Sequence, residues 1–124
     1  MYKFNSNEPI YLQLIDIIKQ RIVNGSLNES TKVKSVRDYA VEFGVNPNTV
    51  QKALSELERA GFIYTERTSG RYVALTESKA QAARLELAEA KTIAYLQWML
   101  DLGCQPEEIH NLIKNKLKEK RRQK

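Results

Sequence analysis

Apolar positions recur at helical spacing over most of this chain and alternate with polar ones over a single short stretch. From about Pro9 to Val23, Ile10, Leu14, Ile17 and Ile18 fall on one side of a helix. Pro9 suits its first turn and Asn24-Gly25 supplies a stop. Residues 24–34 read as a polar loop rich in turn formers. Ser35 then caps a short helix, Val36 to Phe43, with an apolar face of Val36, Tyr39, Ala40 and Phe43, and Gly44 ends it. After a brief turn, Asn46 is a good N-cap and Pro47 fits the first helical position, where a missing N–H costs nothing. That helix runs to about Ala60, buries Val50, Ala53, Leu54 and Leu57, and is closed by Gly61. Beyond Gly61 the period drops to two. Phe62 to Arg67 and Arg71 to Leu75 predict two strands, joined by a tight turn at Thr68-Ser69-Gly70.

The order helix, helix, turn, helix, hairpin is that of a winged helix-turn-helix, which places a DNA-binding domain at residues 1–75. The remainder, residues 76–124, predicts two more helices. Ser78 to Leu102 contains neither Gly nor Pro, and Leu85, Ala88, Ile93, Leu96, Met99 and Leu100 mark one side of it. Gly103 stops that helix and Pro106 starts the next, striped by Ile109, Leu112, Ile113 and Leu117. Two helices packed only on each other leave an apolar face uncovered, so this antiparallel pair is expected to dimerise through its stripe. The fold class is therefore mainly α with a small β-hairpin wing.

Composition narrows the function. With 124 residues there is room for one small domain and an appendage, and 42% apolar with 28% charged residues are globular values. The single cysteine, Cys104, has no partner for an internal disulfide and no activating neighbour, and no Cys/His cluster offers a metal site. The longest uncharged apolar-biased stretch, Thr92 to Leu100, is nine residues, against the roughly 20 that cross a bilayer. The first residues lack an apolar signal core, so the expectation is a soluble cytoplasmic protein with no membrane partner. No nucleophile–base set surrounds the one histidine, His110, and no Gly-rich phosphate loop is present, so no enzyme and no cofactor are expected.

The net charge of +5 is unevenly spread. Residues 1–75 carry ten basic and eight acidic side chains, residues 76–113 three and six, and residues 114–124 seven and one. Net charge alone thus argues weakly for nucleic acid, because much of it sits at the C-terminal end. That basic run reads as cations favouring a helix C-terminus, as a solvated tail, or as a secondary contact to DNA or an acidic partner.

The local argument is stronger. A helix-turn-helix lays its second helix in the major groove, with N-terminal side chains on base edges. Here that helix opens Asn46-Pro47-Asn48-Thr49 and continues with Gln51-Lys52. Asn and Gln amides match adenine, and Thr reaches a phosphate or a thymine methyl. Asn46 is equally explained as a helix cap. Arg37, in the first turn of the preceding helix, opposes the helix dipole, which a nearby phosphate would justify; an ion pair with Asp38 or Glu42 is the alternative. Arg67, Thr68, Ser69, Gly70 and Arg71 form a wing tip suited to the minor groove and its phosphates.

Pro9-Ile10-Tyr11-Leu12-Gln13-Leu14, Ser35-Val36-Arg37-Asp38-Tyr39-Ala40, Gly44-Val45-Asn46-Pro47-Asn48-Thr49-Val50 and Leu57-Glu58-Arg59-Ala60-Gly61 resemble the DNA-binding domain of the GntR family of bacterial transcriptional regulators. The resemblance covers residues 9–74, and the short two-helix end is similar to the YtrA subfamily, whose tail dimerises. It implies DNA contacts by Arg37, by Asn46, Pro47, Asn48, Thr49 and Gln51, and by Arg67, Thr68 and Gly70. Two positions depart from the family pattern. Lys34 replaces a proline before Ser35, adding a phosphate contact or loosening the loop, and Thr68 replaces the first glycine of the wing.

These readings converge on a dimeric repressor that binds double-stranded DNA at an inverted repeat. The rival readings are an architectural DNA binder of low specificity and a protein-interaction module with a decayed DNA site. Nothing indicates a small-molecule effector; the helical pair has little room for an enclosed pocket, so a ligand would lodge between subunits.

Overall fold

The computed structural model describes residues 2–122; Met1 and the last two residues of the basic run, Gln123 and Lys124, lie outside the described residues. Its elements are α1 (Ile10–Val23), α2 (Val36–Phe43), α3 (Pro47–Arg59), β1 (Ile63–Glu66), β2 (Gly70–Val73), α4 (Glu77–Asp101) and α5 (Pro106–Arg122). They divide into two compact units, Met1–Leu85 and Glu86–Lys124, so the first turns of α4 are grouped with the N-terminal unit, past the boundary expected after residue 75.

In the N-terminal unit the three helices and the hairpin close on one core. α1 contributes Leu14, Ile18 and Ile22, α2 Tyr39 and Phe43, α3 Val50, Ala53, Leu54 and Leu57, and the sheet Ile63 and Val73. The α3 stripe is the one that the spacing predicts, whereas on α1 Ile22 joins the core, Ile17 is only partly buried and Ile10 stays exposed, and on α2 Val36 and Ala40 are only partly buried. No charged or polar residue is buried among the described residues. Truncating a fully buried leucine such as Leu54 would cost ~2–5 kcal/mol.

The hairpin pairs Ile63 with Val73, Tyr64 with Tyr72, Thr65 with Arg71 and Glu66 with Gly70. Each strand is shorter than its sequence pattern suggests, and the loop is Arg67-Thr68-Ser69, with Gly70 opening β2. The stretch expected to be a polar loop also supplies a third pairing segment. Val33 N–H donates to Arg71 O (2.9 Å), Val73 N–H to Thr31 O (2.9 Å) and Ser30 N–H to Val73 O (3.0 Å). Val33 is consequently buried. The wing is thereby anchored along both edges of β2.

A second unforeseen feature is the N-terminal arm. Tyr2 and Phe4 lie with ring centroids 5.5 and 6.2 Å from that of Phe43. The Gln13 side chain clamps the arm, accepting from Asn5 N–H (2.8 Å) and donating to the carbonyls of Asn5 (2.7 Å) and Glu8 (3.0 Å).

In the C-terminal unit, Cys104 N–H donates to Met99 O (3.1 Å) and Gly103 N–H to Leu100 O (2.9 Å), closing the end of α4. Gly103 has φ +90°, a conformation that favours glycine. Glu108 reaches back to accept from Gln105 N–H at 3.4 Å. Only Met99 and Ile109 are buried among the described residues of this unit, both close to the connecting turn. Met99, expected at the interface with a second copy, is therefore corrected to the inside of its own chain, 6% exposed. The rest of that α4 stripe is exposed, Leu85, Ala88, Ile93 (69%), Leu96 and Leu100 alike, and so are Trp98, off the stripe, and Leu117 on α5.

Candidate nucleic-acid interface

The first functional segment is the entry to α2. Ser35 is extended at φ −66°, ψ 164°, and its Oγ accepts from Asp38 N–H at 3.0 Å. This cap projects Arg37 from the first turn, exposed and without an ion pair among the described residues. Glu42, one of the two carboxylates proposed as its partner, is held by Arg21 and by Lys34, the latter at 2.7 Å. The Arg21 guanidinium holds the Glu42 carboxyl below its ordinary value; burial opposes it, and Lys34 adds to the lowering. Lys34, though exposed, is thus paired within its own chain, bracing the loop where the family pattern has proline. Below it, burial pushes the Tyr39 phenol up.

Gly44, left-handed at φ 66°, makes the turn into α3, and Val45 N–H closes it on Ala40 O at 3.0 Å. Asn46 does act as the N-cap: its Oδ1 accepts from Asn48 N–H at 2.7 Å. That leaves its side-chain amide N–H groups as donors. Pro47 occupies the first helical turn, as its fixed φ favours. Asn48, Gln51 and Lys52 are exposed, while Thr49 is half-buried. Gln51 Nε2 donates to Ser55 Oγ at 3.2 Å, which keeps its amide along the outer face of the helix. Lys52 Nζ lies 3.8 Å from the centroid of the Tyr11 ring. Ile10, Tyr11, Asn48, Thr49 and Lys52 together line a shallow open depression.

The wing supplies the second segment. Arg67, Thr68 and Ser69 are exposed at the tip, and Tyr72 Oη donates to Ser69 Oγ at 2.9 Å. Gly70 has φ +120°, a conformation that favours glycine, and a Cβ there would come within 3.1 Å of Lys32 Cε, so the lysine chain would have to shift slightly. Lys32 passes against the wing loop and adds a cation that the sequence pattern did not bring out.

Arg71 does not share the tip. Its Nε is 3.8 Å from Glu58 Oε1, and its side chain is 24% exposed. Glu58 also accepts from the Thr65 hydroxyl. Arg71 therefore buttresses the wing against α3, a correction to its placement with Arg67. The physical reason is strand alternation: Arg71 shares a face with buried Val73, two residues on.

The exposed polar face of α3 thus stands with Arg37, the wing tip and Lys32 as the cationic and amide-bearing parts of this unit. Tyr11 and Lys32 are the members that sequence patterning missed. Among the described residues no His/Cys/Asp/Glu group could hold a metal ion, and no helix is long and apolar enough to cross a membrane.

Residues 10–73 match the family model described as bacterial regulatory proteins, gntR family. The HTH-type transcriptional regulator YhcF of Bacillus subtilis is 36% identical over 112 residues, covering 90% of this chain and 93% of that protein. The HTH-type transcriptional repressor YtrA of the same organism is 34% identical, covering 88% and 85%. Among solved structures, a GntR family transcriptional regulator from Listeria monocytogenes superposes with a TM-score of 0.83 at 33% identity, over 90% of this chain and 98% of that one. The DNA-binding domain of AraR in complex with operator ORX1 matches at 26% identity and a TM-score of 0.54, over 60% of this chain.

Proposed function

Because the chain belongs to the gntR family of bacterial regulatory proteins, which are DNA-binding transcription regulators and not enzymes, we propose that it is a homodimeric repressor acting at an inverted-repeat operator in the cytoplasm. The observation that carries this reading is the exposed amide-bearing face of α3, Asn48 and Gln51, together with an exposed wing tip on the same compact unit. Bidentate amides discriminate bases, whereas phosphate contacts by Arg37, Lys52 and Arg67 set register without reading sequence. Asn46, Pro47 and Thr49 fix the start of the helix in the groove, Ser35 the cap beside Arg37, and Thr68, Ser69 and Gly70 the wing loop.

Dimerisation is supported by the C-terminal unit, which buries two residues and leaves Ile93, Leu96 and Leu100 on its surface, with Leu85 and Ala88 exposed farther up the same helix. Water-facing apolar area of that kind is stabilised by a second copy. Two copies joined through α4 and α5 would present two recognition helices to half-sites separated by one or more helical turns. Repression then follows from occupying DNA that the transcription machinery needs, in keeping with the repressor name of the YtrA relative.

The decisive experiment is selection from a random duplex pool, followed by titration of the enriched duplex at two salt concentrations with stoichiometry from sedimentation. Enrichment of an inverted repeat bound by two subunits is the expected result. Binding without enrichment, fading only as salt rises, would replace this reading with an architectural role.

A further inference from the structure

The Lys52 ammonium rests 3.8 Å from the Tyr11 ring centroid, within the range of a cation–π contact. Lysine on an open helix face ordinarily samples many rotamers and loses that freedom when it binds. Tyr11 is half-buried in the first turn of α1. α1 is in turn locked to α3 through a shared core that includes Leu14, Ile18, Val50 and Leu54. The position of the ring is therefore set by the core, and the ring sets the position of the cation.

We propose that Tyr11 is a positioning residue for DNA binding: its ring holds the Lys52 ammonium at the edge of the recognition helix, next to Asn48, so that Lys52 meets the phosphate backbone from a preset conformation. The inference rests on the DNA-interface reading of α3. It assigns the effect to the aromatic face of Tyr11, not to its hydroxyl. Losing the platform should weaken DNA binding by about two- to fivefold, the range of an exposed cation–π contact. The loss should be the same for any sequence, because phosphate contacts carry no base information.

The test uses the full chain with Tyr11→Phe, Tyr11→Leu, Lys52→Gln and the Tyr11→Leu/Lys52→Gln pair. Each is titrated against the selected duplex and a scrambled duplex over a salt series. In the free proteins, the Lys52 side-chain proton shifts are read by NMR, where a ring above the methylene next to the ammonium moves its signal upfield. The expected pattern is an upfield signal in wild type and Tyr11→Phe, lost in Tyr11→Leu. Tyr11→Phe should bind like wild type, and Tyr11→Leu should cost nothing further when combined with Lys52→Gln. Both Tyr11→Leu and Lys52→Gln should weaken the two duplexes alike, with Lys52→Gln flattening the salt slope. Three results overturn the proposal: Tyr11→Phe binding as poorly as Tyr11→Leu, which assigns the work to the hydroxyl; Tyr11→Leu costing as much in the Lys52→Gln chain as in wild type; or no upfield shift in wild type. Lys52→Gln keeps the question open to test even if Tyr11→Leu folds poorly, since a Lys52→Gln chain with unchanged affinity also refutes it. Wild-type protein that binds neither duplex would remove the interface reading itself, and the NMR signal would then report only a surface contact.

Discussion

Arg67 and Arg71 flank the same three-residue loop, yet they stand in opposite surroundings, and paired alanine variants separate them. Arg67 is exposed at the tip and has no ion pair among the described residues. If it meets one phosphate per subunit, Arg67→Ala makes the plot of log affinity against log salt shallower by ~0.9 per lost contact. At low salt the loss is about 1 kcal/mol per contact, or roughly fivefold. Thermal stability should be unchanged, because nothing in the fold leans on that side chain. Arg71 is the reverse. Its side chain is 24% exposed and its Nε stands 3.8 Å from Glu58, a partly screened pair worth at most ~1 kcal/mol. That Nε is buried without a hydrogen-bond partner, so deletion also removes a desolvated donor and offsets part of the loss. A net cost of ~0.5–1 kcal/mol corresponds to a melting temperature lower by about 2–8 °C for a domain of this size. The salt slope should stay at the wild-type value. Fluorescence anisotropy on a labelled duplex at several salt concentrations, with thermal melts of the same preparations, measures both. If Arg71→Ala flattens the salt slope and leaves the melting temperature alone, the side chain reaches DNA and the buttress assignment is wrong.

Gly70→Ala should lower the melting temperature through ~1–2 kcal/mol of backbone strain and contact with Lys32, and weaken DNA binding with it; an unchanged melt would show that the wing relaxes freely. Glu42→Gln tests the brace under α2. The Glu42 carboxyl is depressed in the folded state by Arg21 and then Lys34, so its contribution is fully present above the ordinary carboxylate value and is lost as pH falls through the lower folded one. The melting temperatures of wild type and variant should therefore differ at neutral pH and converge in acid, and a difference that persists below about pH 2 contradicts the linkage. Asn46→Ala should cost ~1 kcal/mol of stability from the lost cap, beyond any effect on DNA, as a denaturant titration would reveal. Ile93→Glu combined with Leu96→Glu should yield a folded monomer by sedimentation equilibrium; a dimer of undiminished affinity would place the interface elsewhere.

The parts of the fold that announce themselves in the sequence are those fixed by local chemistry. Ser35, Gly44 and Asn46-Pro47 dictate their own backbone geometry, so α2, the turn and α3 are legible to within a residue. The third pairing segment is different. Thr31 to Val33 is too short to show a period, and its hydrogen bonds exist only because β2 runs alongside. The same holds for Tyr2 and Phe4, whose packing partner is Phe43, far along the chain. Tyr11 is readable as a helix residue but not as a platform, since nothing at position 11 signals that position 52 lies opposite. Arg71 is a case where the signal is present. With Ile63 paired to Val73 and Thr65 to Arg71, alternation puts Thr65 and Arg71 on the core-facing side. Proximity to the turn masks that period when the wing is read from sequence.

The stripe on α4 shows how far periodicity alone reaches. At 100° per residue, Ile93, Leu100, Leu96 and Leu85 fall within an arc of about 80°, whereas Met99 and Ala88 stand roughly 120–140° from Ile93. All six positions nevertheless lie on one continuous arc of about 140°, with Met99 and Ala88 at the edge beyond Leu85. Met99 is drawn inward at the turn, beside the start of α5, where Ile109 is also buried. The narrower arc keeps its apolar side chains in water along the length of the helix. α5 is exposed at Leu112, Ile113 and Leu117. Those residues do not satisfy the arc within a single chain. An amphipathic helix gains most of its stability from what covers its apolar face. A 25-residue helix that buries one side chain of its own therefore gains little from its own chain, and the proposed second copy would supply the cover. The Ile93→Glu/Leu96→Glu chain is the sharp form of this argument: in a true monomer the substitutions fall on open surface and should leave the melt nearly unchanged, whereas in a dimer they place paired carboxylates in a buried seam.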